Sequence, residues 1–311
     1  MAREPTLVSV AAPMHDEEST VEAFHARVSA ALEHVRFELV IVDDGSRDGT
    51  AARLADVAAR DERVKVVTLS RSFGHQAALT AALEHATGDV VVMLDGDLQD
   101  PPEVIPEMLD RWREGADVVY AVRSERRGET AFKRTTASWF YRLFRSLADI
   151  DLTPDSGDFR LMDRRPLDAL LAMPERNRFL RGMTVWVGYT QTAVTFEREA
   201  RTAGRTKYSL GRMVRFSFDA ITSFSHRPLQ FATLLGFAFS ALAFLAIPLT
   251  IVARYTNIYD RGVPSAIVII LLLGGIQLIC VGIIGEYVGR IYDEVKHRPL
   301  YVVRDRTNLD R

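Results

Sequence analysis

Two long uncharged stretches near the end of the chain set the strongest limit on how it can fold. Residues 229–253 and residues 262–285 contain no Asp, Glu, Lys or Arg. Each stretch is long enough to cross a bilayer as a helix, which takes about 20 apolar residues. The segment between them, residues 254–261, is short and polar. The pattern predicts a transmembrane helical hairpin, and a pair of buried core helices is the alternative.

Basic residues flank the predicted hairpin on both outer sides. They are Arg212, Arg215, Arg227, Arg290, Lys296 and Arg298. Lys and Arg are enriched on the cytoplasmic side of membrane proteins. The bias therefore predicts a membrane protein with two spans whose large N-terminal domain and both termini are cytoplasmic. Glu286 and Arg290 have the spacing of an ion pair at the edge of the second span, which we favour over a transport role.

The part of the chain before the hairpin has the pattern of a soluble α/β domain. Short apolar runs alternate with helical stretches, which predicts a mostly parallel, doubly wound sheet. Ser19 and Glu22 have the spacing of a capping box that opens the first helix. Asp100, ahead of a proline, is expected to cap a later helix. The net charge of −2 gives no reason to expect a nucleic-acid partner, and the single cysteine cannot form an internal disulfide.

Acidic residues follow three of the predicted strands. Glu17 follows the first strand, Asp43 and Asp44 follow the second, and Asp95 and Asp97 follow the fourth. In doubly wound sheets, ligands bind at the carboxyl ends of the strands. Side chains alternate along a strand, so Asp95 and Asp97 are expected on the same side. Because Mg²⁺ prefers carboxylate oxygens together with substrate phosphates, this pair predicts a cation site, with ordinary loop acids as the alternative.

Several common enzyme motifs are missing from the sequence. No G-x-G-x-x-G follows the first predicted strand, and the sequence has no Walker loop and no serine nucleophile elbow. These absences argue against a dinucleotide oxidoreductase, a P-loop NTPase and an α/β-hydrolase.

Four motifs resemble those of family-2 glycosyltransferases. They are PMHDEE at residues 13–18, VDDGSRDGT at 42–50, SRSFGHQ at 70–76 and DGDLQDPP at 95–102. With its two C-terminal spans, the chain is most similar to the polyprenyl-phosphate branch of that family, and there to bacterial polyisoprenyl-phosphate glucosyltransferases. The resemblance implies a GT-A-type nucleotide-sugar-binding domain. It also implies an inverting transfer of a hexose to a polyprenyl phosphate.

The same resemblance assigns residues to the nucleotide. Pro13 and Glu17 would border the base and ribose, with Asp43 and Asp44 beside them, and Arg71 would orient the nucleotide. A carboxylate accepts hydrogen bonds from a ribose diol or a base N–H. A plain turn is the alternative explanation for the Asp44 segment.

The resemblance also assigns metal ligands in the acidic motif. Asp97 is the implied direct ligand of Mg²⁺ or Mn²⁺, and Gln99 is a further oxygen ligand. Asp95 would reach either the metal or the ribose and sugar of the donor. His75 is not assigned as a ligand. The cation would neutralise charge on the leaving nucleoside diphosphate.

The motif SGDFRLM, residues 156–162, resembles the acceptor-side motif of this subgroup. By the resemblance, Asp158 aligns with the residue assigned as catalytic base. However, a phosphate monoester has a second pKa of about 6 and is largely a dianion at neutral pH. Two roles therefore stay open for Asp158: a base, or a group that positions the acceptor.

A basic segment ahead of the hairpin resembles the Gly-x-Ser-Lys-Tyr motif of the family, with Thr206 in place of serine. Arg205 and Lys207 would bind the donor diphosphate and the acceptor phosphate. A loop facing lipid headgroups is the alternative. Basic amphipathic patterns at residues 131–147 and 210–224 predict helices that lie on membrane lipids, with ordinary core-facing helices as the alternative.

The sequence thus predicts four regions in the 311 residues. Residues 1–204 form the cytoplasmic GT-A domain, residues 205–228 an interfacial amphipathic segment, residues 229–290 the transmembrane hairpin, and residues 291–311 a cytoplasmic C-terminal tail. Two spans per chain also allow lateral association into a homo-oligomer.

UDP-glucose is the donor expected first, with GDP-mannose or a modified nucleotide sugar as the runner-up. A processive polysaccharide synthase would carry a Gln-x-x-Arg-Trp motif and more spans, and the sequence has neither. A catalytically inactive membrane scaffold is the alternative from a different class. It predicts broken metal and diphosphate motifs, whereas Asp95, Asp97, Arg205 and Lys207 are all in place.

Overall fold

A computed structural model describes residues 3–123, 156–196, 227–255 and 263–309. The described residues up to 196, together with those from 298 onwards, form one compact unit, and residues 227–297 belong to a second. Arg205 and Lys207 lie outside the described residues. So do the two predicted interfacial stretches, residues 131–147 and 210–224.

The first unit is built on an eight-stranded sheet with the strand order β7-β5-β6-β4-β1-β2-β3-β8. The strands are β1 (Val8–Met14), β2 (Phe37–Asp43), β3 (Val64–Leu69), β4 (Val90–Met93), β5 (Val118–Arg123), β6 (Ser156–Asp163), β7 (Gln191–Phe196) and β8 (Val303–Thr307). Strands β1 to β4 pair in parallel, and so do β5 and β7. Strand β6 is antiparallel to both of its neighbours, and β8 is antiparallel to β3. The prediction of a mostly parallel α/β sheet is confirmed.

Six helices of the first unit are described. They are α1 (Val21–Ala31), α2 (Thr50–Arg60), α3 (His75–His85), α4 (Ile105–Arg113), α5 (Arg164–Leu171) and α6 (Leu180–Trp186). Strands β1 and β2 are buried along their whole length, as expected for parallel strands covered on both faces. Helix α2 is amphipathic: Leu54, Val57 and Ala58 are buried, while its charged residues are exposed.

The start of helix α1 differs from the prediction. Its N-cap is Thr20 rather than Ser19, and no side-chain capping bond is made. The Thr20 hydroxyl instead donates to the Glu17 carbonyl at 2.9 Å. Glu22 accepts from Arg60 of α2 at 2.6 Å. The predicted capping box is therefore wrong, because Glu22 pairs with a basic residue that is distant in sequence.

The second unit contains two long helices, α7 (Arg227–Tyr255) and α8 (Val263–Val295). Their most apolar windows, Leu229–Ala246 and Leu272–Val295, have mean hydropathies of 1.9 and 1.7, and 6% and 0% of them is buried. Large apolar side chains such as Phe244 are exposed. Both helices are therefore long and apolar enough to cross a membrane, and neither is a buried core helix. Arg290 Nε donates to Glu286 Oε1 at 3.1 Å, which confirms the predicted ion pair.

Part of the predicted C-terminal tail belongs to the sheet. Strand β8 lies antiparallel to β3, with Val66 opposite Thr307 and Leu69 opposite Val303. Helix α8 also continues to Val295, beyond the predicted end of the second span. The sequence VRDRT of β8 is short and charged. It therefore lacks the apolar alternation from which strands are predicted.

Candidate active site

The turn after β4 carries the two carboxylates predicted to bind metal. Asp95 and Asp97 follow Met93, the last residue of the strand. The Asp97 carboxylate accepts from the Gln99 backbone N–H at 3.0 Å and from the Gln99 side-chain amide at 2.6 Å. Gln99 is buried. It therefore holds Asp97 in one orientation, while its predicted role as a metal ligand stays a prediction.

A glycine allows this turn to lie against the end of β1. A Cβ on Gly96 would lie 2.6 Å from Met14 Cγ and 3.1 Å from the Pro13 carbonyl oxygen. Contacts below 3 Å require one partner to move, so a side chain at this position would displace either the buried Met14 side chain or the turn itself. Leu98 has a φ of 58°, which places a non-glycine residue in the left-handed region beside the two acids.

Asp95 lies in an electrostatic environment that suits a cation. Desolvation raises the pKa of its carboxyl to about 7, and the charges of Asp158, Asp100 and Asp97 act in the same direction against that of His75. A divalent cation between Asp95 and Asp97 would relieve this repulsion. The oxygen donors of the turn thus fit Mg²⁺ or Mn²⁺. In the part of the chain that the structure describes, no group of three or more His, Cys, Asp or Glu side chains is placed to hold a metal ion.

Asp158 of β6 is surrounded by three nitrogen donors. Its Oδ2 lies 3.3 Å from Gln76 Nε2 and 3.4 Å from His75 Nε2, and its Oδ1 lies 3.5 Å from Arg181 Nε. Desolvation would raise the pKa of Asp158, but the hydrogen bond with His75 and the charge of Arg181 hold it well below its usual range. Asp158 is therefore an ionised group whose Oδ2 contacts Gln76 and His75, while its Oδ1 has an ion-pair contact with Arg181 and no hydrogen bond from Arg181 Nε.

His75 joins the two halves of the site. Its Nε2 lies 3.6 Å from Asp95 Oδ1, in addition to its contact with Asp158. Desolvation would lower the pKa of the imidazole, but the hydrogen bond with Asp158 and the charge of Asp95 raise it to about 9. His75 is therefore positioned between two carboxylates that favour its protonated form.

Two further side chains fix the surroundings of Asp158. Gln76 Oε1 accepts from the Leu180 backbone N–H at 2.9 Å and so links the starts of α3 and α6. Arg160 is buried, and its Nη1 donates to the Arg181 carbonyl oxygen at 3.1 Å. Sequence reasoning gave no role to Gln76, Arg160 or Arg181. Gln76 lies in a quoted motif at the carboxyl end of β3, which was a usable signal, but Arg181 had no local signal.

Asp100 has a different role from the one predicted. It is buried, and its Oδ1 lies 3.4 Å from Nη2 of Arg123 at the end of β5. The short 3₁₀ turn that follows has Pro101 as its N-cap, without a side-chain capping bond. Asp100 therefore forms an ion pair with Arg123 of β5 and does not cap a helix, so the prediction of a helix cap is wrong.

The Asp44 carboxylate organises the loop that leads into α3. It accepts from Ser72 Oγ at 2.8 Å, from the Phe73 N–H at 2.6 Å and from the Gly74 N–H at 3.0 Å. Asp44 is buried, and it therefore does more than form the turn proposed as the alternative. Asp43 is also buried and accepts from the Ser46 N–H at 3.0 Å.

The other residues predicted for the nucleotide lie at the same edge of the sheet. Pro13 is inside β1, opposite Val42 of β2. The Glu17 N–H donates to Thr50 Oγ1 at 2.9 Å. The Arg71 guanidinium is exposed and stacks on Phe73, 4.0 Å from the ring centroid. The described residues that were predicted to bind the nucleotide sugar therefore lie at or near the carboxyl ends of β1 to β4.

The sequence profile described as Glycosyl transferase family 2 matches residues 9–171. This chain belongs to that family. The "Uncharacterized glycosyltransferase YkcC" of Bacillus subtilis (strain 168) is 46% identical over 299 residues, which cover 95% of this chain and 93% of the relative. The "Bactoprenol glucosyl transferase" of Shigella phage SfV is 39% identical and covers 96% of this chain and 98% of the relative. The "Uncharacterized glycosyltransferase sll0501" of Synechocystis sp. (strain ATCC 27184 / PCC 6803 / Kazusa) is 44% identical, covering 97% and 96%.

In this family-2 glycosyltransferase, the profile spans β1 to α5 and includes the acids at the ends of β1, β2 and β4 as well as Asp158. The predicted recognition, GT-A fold class and enzyme class are thereby confirmed. Helix α6 with Arg181, the two apolar helices and β8 lie beyond the profile. The full-length relatives extend over these elements too.

Proposed function

We propose that this glycosyltransferase moves glucose from UDP-glucose to polyprenyl phosphate with inversion at the anomeric carbon. One observation carries the proposal: proteins named bactoprenol glucosyl transferase are 39% identical to this chain over 96% of its length, the apolar helices included. GDP-mannose or a modified nucleotide sugar is the second candidate donor. The cluster of acids at the carboxyl ends of the parallel strands supports a nucleotide diphosphate sugar as the class of donor.

The carboxylates of Asp97 and Asp95 would hold Mg²⁺ or Mn²⁺ together with the donor diphosphate, with Gln99 supporting Asp97. When bound, the cation supplies charge neutralisation on the leaving nucleoside diphosphate. Asp43 and Asp44 would shape the wall of the nucleotide pocket through the loops they hold. Arg205 and Lys207 are proposed to bind the two phosphates.

Asp158 is proposed as a positioning group. Its Oδ2 contacts Gln76 and His75, and its Oδ1 forms an ion pair with Arg181, so a substrate proton would have to compete with these contacts. The acceptor phosphate is already largely a dianion at neutral pH and needs no strong base. The proposed work of Asp158 is to fix the cationic groups of His75 and Arg181 beside the reacting atoms.

The two apolar helices are proposed to anchor the enzyme in the cell membrane, where a lipid-linked acceptor resides. Basic residues flank the helical pair, so the catalytic domain and both termini would be on the cytoplasmic side. This arrangement lets a soluble nucleotide sugar and a membrane-bound phosphate meet at one surface.

The test is a transfer assay with the purified full-length protein and polyprenyl phosphate. Radiolabelled UDP-glucose, GDP-mannose and other nucleotide sugars are supplied in parallel with Mg²⁺, Mn²⁺ or a chelator. We expect label in the lipid fraction from UDP-glucose, dependent on the cation, and a product of inverted anomeric configuration. Transfer from another donor alone would change the assigned sugar. No transfer from any donor would support the inactive scaffold instead.

A further inference from the structure

The edge strand β8 determines how β3 ends. The β3–β8 pairing shifts register between Thr68 and Leu69. Immediately after β3, the Ser70 N–H donates to the Val302 carbonyl oxygen at 2.9 Å. The loop from residue 70 to residue 74 therefore leaves the sheet from a point that the C-terminal segment fixes.

The other end of this loop is fixed by Asp44. The Asp44 carboxylate binds the Phe73 and Gly74 N–H groups at 2.6 Å and 3.0 Å. The next two residues, His75 and Gln76, are the ones whose side chains contact Asp158. One short loop therefore joins the point that the C-terminal segment holds, Ser70, to the two side chains that contact Asp158.

The C-terminal segment, residues 298–308, has its own anchors. Asn308 Nδ2 donates to the Ala58 and Val64 carbonyl oxygens at 2.8 Å and 2.9 Å. The Tyr301 hydroxyl donates to Glu84, near the end of α3. These bonds attach the segment to α2, β3 and α3.

A further bond reaches the other partner of Asp158. Arg176 Nη1 donates to the Arg298 carbonyl oxygen. Arg176 lies in the connection that leads into α6, where Arg181 contacts Asp158. The segment thus touches the elements that supply His75, Gln76 and Arg181.

We propose that residues 298–308 are a positioning segment of the catalytic site, which holds the loop 70–74 and thereby the side chains around Asp158. Tyr301 and Asn308 are its positioning residues. The inference deepens the proposed function and rests on it for the activity readout. The structural readout below is independent of any activity.

The test uses the full-length protein and compares Asn308→Asp and Tyr301→Phe with a control, Arg304→Ala. The control changes an exposed side chain of β8. Asn308→Asp keeps the size of the side chain but turns a carboxylate toward two carbonyl oxygens. Tyr301→Phe removes only a hydroxyl. Amide hydrogen exchange is measured at residues 70–76 and 303–307, and kcat and KM are measured for donor and acceptor.

We expect exchange at residues 70–76 to rise about tenfold in Asn308→Asp and less in Tyr301→Phe, as for the loss of one or two hydrogen bonds. We also expect kcat to fall about tenfold, because small displacements of catalytic groups are costly, while KM for the acceptor stays unchanged. Arg304→Ala should match the unsubstituted protein in both measurements.

The proposal is overturned if exchange rises at residues 303–307 and stays unchanged at residues 70–76, since β8 would then be a merely structural edge. Unchanged kcat in both variants would also overturn it. If the unsubstituted protein transfers no sugar from any donor, the proposed function fails, and the exchange at residues 70–76 still decides the positioning claim.

Discussion

Gln76 Nε2 donates to Asp158 Oδ2 at 3.3 Å, and Gln76 Oε1 accepts from the Leu180 backbone N–H at 2.9 Å. One uncharged side chain thus connects the starts of α3 and α6 and also contacts the acid expected on the acceptor side. A hydrogen bond to a charged group contributes about 1.5–3 kcal/mol, so the removal of Gln76 should disturb the orientation of Asp158.

Gln76→Met is therefore expected to lower kcat about tenfold or more, because it removes both bonds at nearly constant volume. Gln191→Met is the matched control. Gln191, the first residue of β7, also makes two bonds through its Nε2, to the carbonyl oxygens of Thr184 at 2.9 Å and Gly188 at 3.0 Å. Steady-state kinetics should show a loss only in the first variant, and equal losses in both would contradict the role of Gln76.

Asp158→Asn separates the two roles left open for this residue. A positioning carboxylate should lose about a hundredfold in kcat, because one of its oxygens becomes a donor facing other donors. A strict base should lose nearly all activity, whatever the pH. Single-turnover rates between pH 6 and 9 distinguish these outcomes. A residual rate indistinguishable from zero would indicate that Asp158 is the catalytic base.

In the turn after β4, substitution of the proposed metal ligand Asp97 should have a different effect from substitution of Gln99, which orients it. Asp97→Ala should abolish turnover while the protein still inserts into membranes. Gln99→Met should raise the Mn²⁺ concentration for half-maximal activity about tenfold without abolishing the maximal rate, as is usual for groups that orient a ligand. Metal titrations of the transfer rate test both. Substantial activity in Asp97→Ala would move the metal site elsewhere.

Gly96→Ala should displace the turn or the buried Met14 side chain against it, because its Cβ would lie 2.6 Å from Met14 Cγ. Gly88→Ala is a matched control before the other end of β4, where a Cβ would lie 2.6 Å from the Leu7 carbonyl oxygen. Both variants should lose about 1–3 kcal/mol in the free energy of unfolding and should therefore unfold at a lower temperature. Only Gly96→Ala should lose activity per folded molecule. A fully active Gly96→Ala protein would show that the turn tolerates displacement.

Glu38 should make stability depend on pH. Desolvation opposes its charge, but hydrogen bonds from Lys65, Ser9 and Thr87 lower the pKa of Glu38 from 4.5. A lowered folded pKa means that the carboxylate stabilises the fold above about pH 4.5, and that this contribution is lost as the pH falls through the folded value.

Glu38→Gln is therefore expected to destabilise the protein by about 2 kcal/mol at pH 7, with the difference shrinking as the pH falls below 4.5. Thermal unfolding in detergent between pH 7 and pH 3.5 measures it. Glu33→Gln, at a side chain 65% exposed, is the control and should shift stability by less than about 0.5 kcal/mol. If the stability difference between the unsubstituted protein and Glu38→Gln grew as the pH fell, the pKa of Glu38 would be raised in the folded protein rather than lowered.

Local patterns were sufficient for the parallel half of the sheet. The apolar runs of β1 to β4 and the acids after them predict both the strands and the edge where ligands bind, because a buried parallel strand needs continuous apolar residues. Asp95 and Asp97 could be placed at that edge from their position after β4 alone.

The rest depends on partners that are distant in sequence. Strand β8 forms by pairing with β3, more than a hundred residues earlier in the chain. The environment of Asp158 is set by charged side chains from three separate elements. A short charged strand such as β8 has no periodic signature, and a buried acid such as Asp100 does not reveal in sequence whether it caps a helix or meets an arginine.

The position of β8 in the sequence has a consequence for biosynthesis. A ribosome completes the first seven strands and both apolar helices before it makes Val303–Thr307, so the β3 edge stays unpaired throughout that interval. An exposed edge is a template for pairing with another chain. Until β8 is made, the β3 edge therefore offers such a template, and the pairing of β8 with β3 removes it.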